Sequence, residues 1–176
     1  MGLVRRPPQG AQLTARSRLR SVTGSLGFVL LGGPTIVAGL VPWLITRWHA
    51  EDQPLGLRIL GGVVFAIGAA LVLETTARFA VQGRGTPAPW APPESFVERG
   101  SYRFVRSPMY LGVLALIVGQ ALLLGREILF AWAVAAWLIF QLFLVLEEEP
   151  GLRRRFGAQY EGYSRRVGRW FPRLRR

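Results

Sequence analysis

From Ile128 to Leu146 the chain runs without one charged residue. A bilayer's hydrocarbon core is roughly 30 Å thick and takes about 20 helical residues to cross. Within it every backbone N–H and C=O needs an internal partner, which leaves helices or closed barrels. The run lacks the alternation of a barrel strand, so it reads as a transmembrane helix. Three further apolar runs accompany it: Leu26–Ile45, broken by Gly32-Gly33-Pro34 and Pro42; Leu57–Phe79; and Tyr110–Leu124. The last is about 15 residues, short for a full crossing. Joined to Ile128–Leu146 through Gly125-Arg126-Glu127, it makes a hairpin that is tilted or stops short of the far face. The first run is too long for a secretory signal, and no small-x-small cleavage site follows it.

The expected fold is therefore all-α: an integral membrane protein of about four transmembrane helices, with a C-terminal helical hairpin and a cytoplasmic tail. Residues 1–24 form a basic N-terminal arm and 25–176 the membrane domain, its motif-bearing part spanning 82–172. Charge orients it. With four spans, one side holds Arg5, Arg6, Arg16, Arg18 and Arg20 of the arm and Arg84, Arg99, Arg103 and Arg106 of the middle loop. It also holds Arg153, Arg154, Arg155, Arg165, Arg166, Arg169, Arg173, Arg175 and Arg176 of the tail, while Arg47, Arg58 and Arg126 lie opposite. The positive-inside rule then places both termini in the cytoplasm, as in a bacterial inner membrane. A net charge of +12 carried by arginines that flank apolar spans fits an anionic leaflet, not nucleic acid. The absence of cysteine removes disulfides, thiolate metal sites and a thiol nucleophile. The single histidine, His49, falls in the outer loop, where a metal site would need several ligands. Gly83-x-Gly85 lacks the strand–helix setting of a dinucleotide fingerprint.

The two longest polar segments, 82–108 and 147–176, share the basic side, and the hairpin brings their inner ends together. One end carries Arg103, Arg106, Pro108 and Tyr110; the other carries Glu147, Glu148 and Glu149. Three carboxylates at a helix C-terminus oppose the macrodipole, which favours cations there. Either the nearby Arg153–Arg155 compensate them as a solvated charge run, or a cationic ligand does. Within the second span, Glu74 and Arg78 are spaced for an i,i+4 pair, and an intramembrane acid is also a functional candidate.

The spacing of these residues resembles the isoprenylcysteine carboxyl methyltransferase family and its phospholipid methyltransferase relatives. The family's Arg-His-Pro-x-Tyr-x-Gly signature falls on Arg106, Ser107, Pro108, Tyr110 and Gly112. Its second signature falls on Glu148-Glu149, Leu152, Phe156-Gly157, Tyr160 and Tyr163, and the likeness covers roughly residues 56–172. The resemblance implies a membrane-embedded enzyme using S-adenosylmethionine, with a lipophilic small molecule, a lipid or a prenylated chain as acceptor and no nucleic acid as partner. Glu148 and Glu149 would face the cationic sulfonium, and Arg106 the methionyl carboxylate. Gly112 would admit the ligand to the backbone, Pro108 would set the start of the hairpin, and Tyr160 and Tyr163 would pack on adenine or sulfonium. Arg165 and Arg169 are the candidates for holding an acidic acceptor group. The family's histidine is Ser107 here; methyl transfer to a carboxylate needs no base, so an oxygen nucleophile is favoured. Two other readings remain: a sterol-reductase-like enzyme, whose anionic NADPH the carboxylates would repel, and a non-enzymatic membrane scaffold.

Overall fold

A computed structural model describes residues 32–78 and 100–173 of the chain. The expected N-terminal arm, residues 26–31 of the first apolar run and the Gly83–Pro93 part of the middle loop lie outside the described residues. Within them the structure is all-helical, with no strand; α1 covers Gly33–Thr46, α2 Leu55–Arg78, α3 Pro108–Leu124, α4 Ile128–Phe143 and α5 Glu149–Arg166. A short 3-10 turn, Gly100–Arg103, precedes α3. Two helices are long and apolar enough to cross a membrane: α2, and the helical stretch from Ile128 to Arg166, which contains α4 and is kinked at Gly157, where φ is 48°. As described, α1 and α3 are shorter apolar helices.

The closest packing joins α2 to α3, and small residues make it possible. A Cβ added at Gly68 would lie 2.8 Å from the Gly112 carbonyl oxygen, and one at Gly119 would lie 2.7 Å from the Phe65 nitrogen. The two backbones therefore touch, running antiparallel, as membrane helices do where bulky side chains are missing. This corrects the expectation for Gly112. Its bare Cα faces α2, where an added Cβ would meet Val72 Cγ2 at 2.8 Å, so it serves helix packing. The core beyond this seam is Ala38, Val72, Val113, Ile117, Ala121, Leu129, Ala133 and Ala136. Many large apolar side chains, such as Ile59, Ile67, Leu138 and Leu142, point outward and stay exposed.

Pro42 explains an irregularity in α1. Residues Ile36–Leu40 adopt a π turn, in which the Val41 N–H bonds to the Ile36 carbonyl. Pro42 has no N–H to offer, so the carbonyls of Val37 and Ala38 lose their helical donors. Side chains from two other helices replace them: Trp132 Nε1 donates to Val37 at 2.9 Å and Gln120 Nε2 to Ala38 at 2.7 Å. The buried glutamine of α3 is thereby satisfied, and α1 is keyed to α3 and α4.

The chain alternates direction through α1 to α4. At one end, the 47–54 loop meets the α3–α4 turn: the Glu51 N–H bonds to the Leu124 carbonyl at 2.8 Å, and Arg126 pairs with Glu51. Gly125 closes α3 there with a positive φ of 69°, a conformation in which a Cβ is costly. At the other end gather Arg78, the 100–107 segment and residues 145–173.

Candidate active site

The acidic end of α4 is built differently from the expectation. Glu147–Glu149 do not sit at a helix C-terminus, because the helix passes through them. Residues Leu144–Glu148 form a second π turn, closed by the Glu149 N–H on the Leu144 carbonyl, and α5 continues to Arg166. Pro150 follows directly, and its missing N–H suits a break in the regular ladder. Such turns recur at functional sites. Through this one, Glu147 is exposed while Glu148 and Glu149 are half-buried.

The two carboxylates have unlike surroundings. Glu149 Oε1 accepts from Arg106 Nη1 at 3.1 Å and from Arg169 at 2.8 Å, with its side chain 12% exposed. Arg106 Nη1 also donates to the Tyr160 hydroxyl at 3.2 Å. Glu148 Oε2 accepts from the Tyr110 hydroxyl at 2.9 Å and has no ion pair among the described residues. The Tyr110 ring leans on Phe140 of α4, centroids 4.7 Å apart. Glu149 is thus saturated with positive charge, and Glu148 is left with a single neutral donor.

Two buried polar atoms here lack any partner: Arg106 Nε and Ser107 Oγ. An unmade hydrogen bond in a buried place costs about 1–3 kcal/mol.

Short backbone links hold the arrangement together. The Arg106 N–H donates to the Gly168 carbonyl at 2.8 Å, beside a parallel bridge between Val105 and Gly168. Trp170 Nε1 donates to Gln141 Oε1 of α4 at 2.8 Å, satisfying the polar residue of the charge-free run. The segment after α5 therefore straps the Arg106 loop to α4. Tyr163 donates from its hydroxyl to the Tyr102 carbonyl at 2.6 Å. Burial first, and then the Glu148 carboxylate, push the Tyr102 phenol well above its usual range, so it stays a neutral hydroxyl. Ser101 donates to Glu74 at 2.6 Å, and Arg78 pairs with the same carboxylate. Glu74 thus makes its expected i,i+4 pair and also anchors the 3-10 turn to α2.

Most of the sequence candidates converge. Arg106, Glu149, Tyr160 and Arg169 join one hydrogen-bonded cluster, Tyr110 and Glu148 form a separate pair beside it, and Pro108 is fully buried at the first turn of α3. Tyr163 lies beside it, its ring 6.4 Å from that of Tyr160. Two surroundings differ from the expectation: Arg169 is engaged by Glu149, and Gly112 packs against α2. Arg165 is exposed and contributes its carbonyl to Arg173. Tyr102, Phe140 and the Trp170–Gln141 pair were not singled out for the site. An isolated glutamine in an apolar span was the one signal that could have pointed to the last.

Residues 57–159, more than half of the chain, match the family described as phospholipid methyltransferase. The chain belongs to the phospholipid methyltransferase family. It is thus at family level a membrane methyltransferase, in keeping with its apolar helices. A protein of Haemophilus influenzae, described as uncharacterized, is 31% identical over 62 residues, covering 35% of this chain and 98% of its own length. The match to the phospholipid methyltransferase family ends just before Tyr160. The structure carries the cluster further, to Tyr160 and Arg169, through their bonds to Arg106 and Glu149.

Proposed function

We propose that the protein transfers a methyl group from S-adenosylmethionine to a lipophilic acceptor at the cytoplasmic membrane face, with a carboxylate oxygen as the favoured nucleophile. The observation that carries this reading is the split between the two glutamates. Glu149 neutralises guanidinium groups of the protein itself, whereas Glu148 is a half-buried carboxylate with no cationic partner among the described residues. Burying an unpaired charge is costly, and a cationic ligand removes the cost. Nearby, the unpartnered Arg106 Nε is a buried donor suited to a carboxylate. A site with a spare carboxylate and a spare guanidinium edge complements a ligand bearing both a sulfonium and an amino-acid carboxylate.

S-Adenosylmethionine, when bound, supplies a methyl carbon activated by the positive sulfur it leaves. The protein's part is placement and exclusion of water. Glu148 balances the sulfonium charge, Arg106 takes the carboxylate, and Tyr110 with Phe140 supplies an aromatic wall for the apolar part. Rate enhancement then comes from alignment of nucleophile and methyl carbon in a dry site. His49 lies in the loop at the opposite end of the helices, which leaves the site without an imidazole base and favours a nucleophile already ionised at neutral pH. Arg165, exposed on α5, is the cation available to an acidic acceptor group. The basic end of the bundle faces the cytoplasm by the positive-inside rule.

Calorimetry on detergent-purified protein tests the reading, with S-adenosylmethionine, S-adenosylhomocysteine and NADPH beside a Glu148→Ala variant. Saturable binding of the first two, lost in the variant, supports it. Binding of NADPH alone, or of none of the three, rejects it.

A further inference from the structure

Two exposed phenylalanines lie outside the acidic site. Phe171 is 81% exposed and Phe104 58%, at the basic end of the bundle and not along its apolar sides. Exposed apolar residues scattered singly are ordinary, but these two share one place. The bridge between Val105 and Gly168 begins one residue after Phe104, and the Phe171 carbonyl folds back against Gly168. Slack in the chain does not leave the rings there. The Arg106 N–H holds the Gly168 carbonyl at 2.8 Å, and Gln141 holds the Trp170 indole at 2.8 Å, so the strap is pinned just before Phe171.

The Trp170 contact also sets a depth. Glu147 is the first charged residue of the helical stretch that starts at Ile128. Gln141 lies roughly 9 Å along the helix before Glu147, at 1.5 Å per residue. The strap therefore reaches back to the last apolar turns of α4, where Leu142 is exposed as well. That is the level at which hydrocarbon gives way to headgroups.

Around the two rings the charge has one sign. Arg103 lies over the Phe104 ring at 5.3 Å, Arg173 donates to the Arg165 carbonyl at the end of α5, and Arg166 is exposed beside that carbonyl. From 150 to 173 the one acid is Glu161. Apolar rings rimmed by guanidinium groups at this depth complement a leaflet of anionic lipid: the rings enter the acyl boundary and the arginines meet phosphate. A soluble polyanion would use the arginines and leave both rings in water.

We infer that the Phe104–Phe171 patch is a docking surface for anionic phospholipid headgroups, with Phe171 immersed at the acyl boundary and Arg103, Arg166 and Arg173 on phosphate. The surface is independent of the cofactor assignment and of the acidic site.

The cysteine-free chain lets a spin label be placed at Phe171→Cys and, as an aqueous reference, at Gln159→Cys, both exposed positions. Full-length protein is reconstituted in nanodiscs of phosphatidylcholine, alone or mixed with phosphatidylglycerol. Collision rates with oxygen and with a water-soluble nickel chelate then report depth. With phosphatidylglycerol present, the label at 171 should favour oxygen and lose most of its collisions with nickel, while the label at 159 does the reverse. Combining Arg103→Gln, Arg166→Gln and Arg173→Gln should abolish the difference between the two lipid mixtures at 171. A label at 171 as open to nickel as the one at 159 overturns the inference. So does equal immersion in both mixtures, or a lipid difference that survives the triple substitution, since either leaves an aromatic anchor with no anionic partner. Protection seen only when two proteins share a nanodisc assigns the patch to a second copy of the chain, which overturns it too.

Discussion

Arg106 Nη1 donates to Glu149 Oε1 at 3.1 Å across 43 positions of sequence, and Arg169 reaches the same oxygen from beyond α5. One carboxylate thus binds the loop before α3 to the helix after α4 and to the strap that follows it. Glu148, its neighbour in sequence, takes no part in this and is free to meet a ligand.

Adjacent glutamates should accordingly fail in different ways. Glu149→Gln leaves two guanidinium groups short of their counter-charge in a largely buried place, and should lower stability by about 3 kcal/mol. Glu148→Gln removes a half-buried charge that has no ion pair among the described residues, so the ligand-free protein should keep or gain stability while affinity for S-adenosylhomocysteine falls at least tenfold. Thermal unfolding and calorimetry on both variants read the contrast; equal Tm losses would refute it.

The α2–α3 seam should resist even one methyl group. Gly68→Ala and Gly119→Ala place Cβ within 3 Å of facing backbone, and each should cost about 1–3 kcal/mol. Gly56→Ala, near the start of α2, meets nothing within 4 Å and should be neutral or stabilising by up to about 1 kcal/mol. Detergent-resistant Tm values for the three variants settle the matter.

Gln120 and Pro42 should be coupled through the Ala38 carbonyl. Gln120→Leu strands that carbonyl and should cost about 1–3 kcal/mol in the native background. In a Pro42→Ala background the helix regains an N–H that can serve the same carbonyl, and the loss should shrink. Additive effects in the double-mutant cycle would show that the proline is not the cause of the contact.

The cysteine-free chain makes topology directly readable. Single cysteines at Ala50 and Gln159, both exposed and at opposite ends of the bundle, should react differently with a membrane-impermeant maleimide in intact cells. Ala50→Cys should label from outside, and Gln159→Cys only after permeabilisation. The reverse pattern would invert the proposed orientation.

Much of the helical layout was legible in advance because apolar length is a local property. The run at Leu57–Phe79 became Leu55–Arg78, and Tyr110–Leu124 became Pro108–Leu124, with the turn at Gly125 where a glycine C-cap belongs. The acidic stretch misled because a break in hydrophobicity after Leu146 looks like the end of a helix. The backbone instead passes through a π turn and continues as a polar helix, which hydropathy does not register. The motif residues could be recognised by type and spacing, but their partners could not. Glu148 and Glu149 are indistinguishable as neighbours in sequence, and Gly112 reads as a ligand contact until α2 is seen against it.

The sequence by itself determined that the chain is helical and apolar enough for a membrane, that its charge is asymmetric, and that two polar segments join the ends of one hairpin. Those properties follow from composition along the chain and need no neighbours. Only the tertiary structure decided which carboxylate is spent on arginine and which is left over, and why Ser107 lacks a partner. It also showed that Gln120 and Trp132 complete the backbone that Pro42 interrupts. These pairings join groups 38 to 95 positions apart, and a pairing across that separation is set by how helices pack, not by what either segment prefers alone.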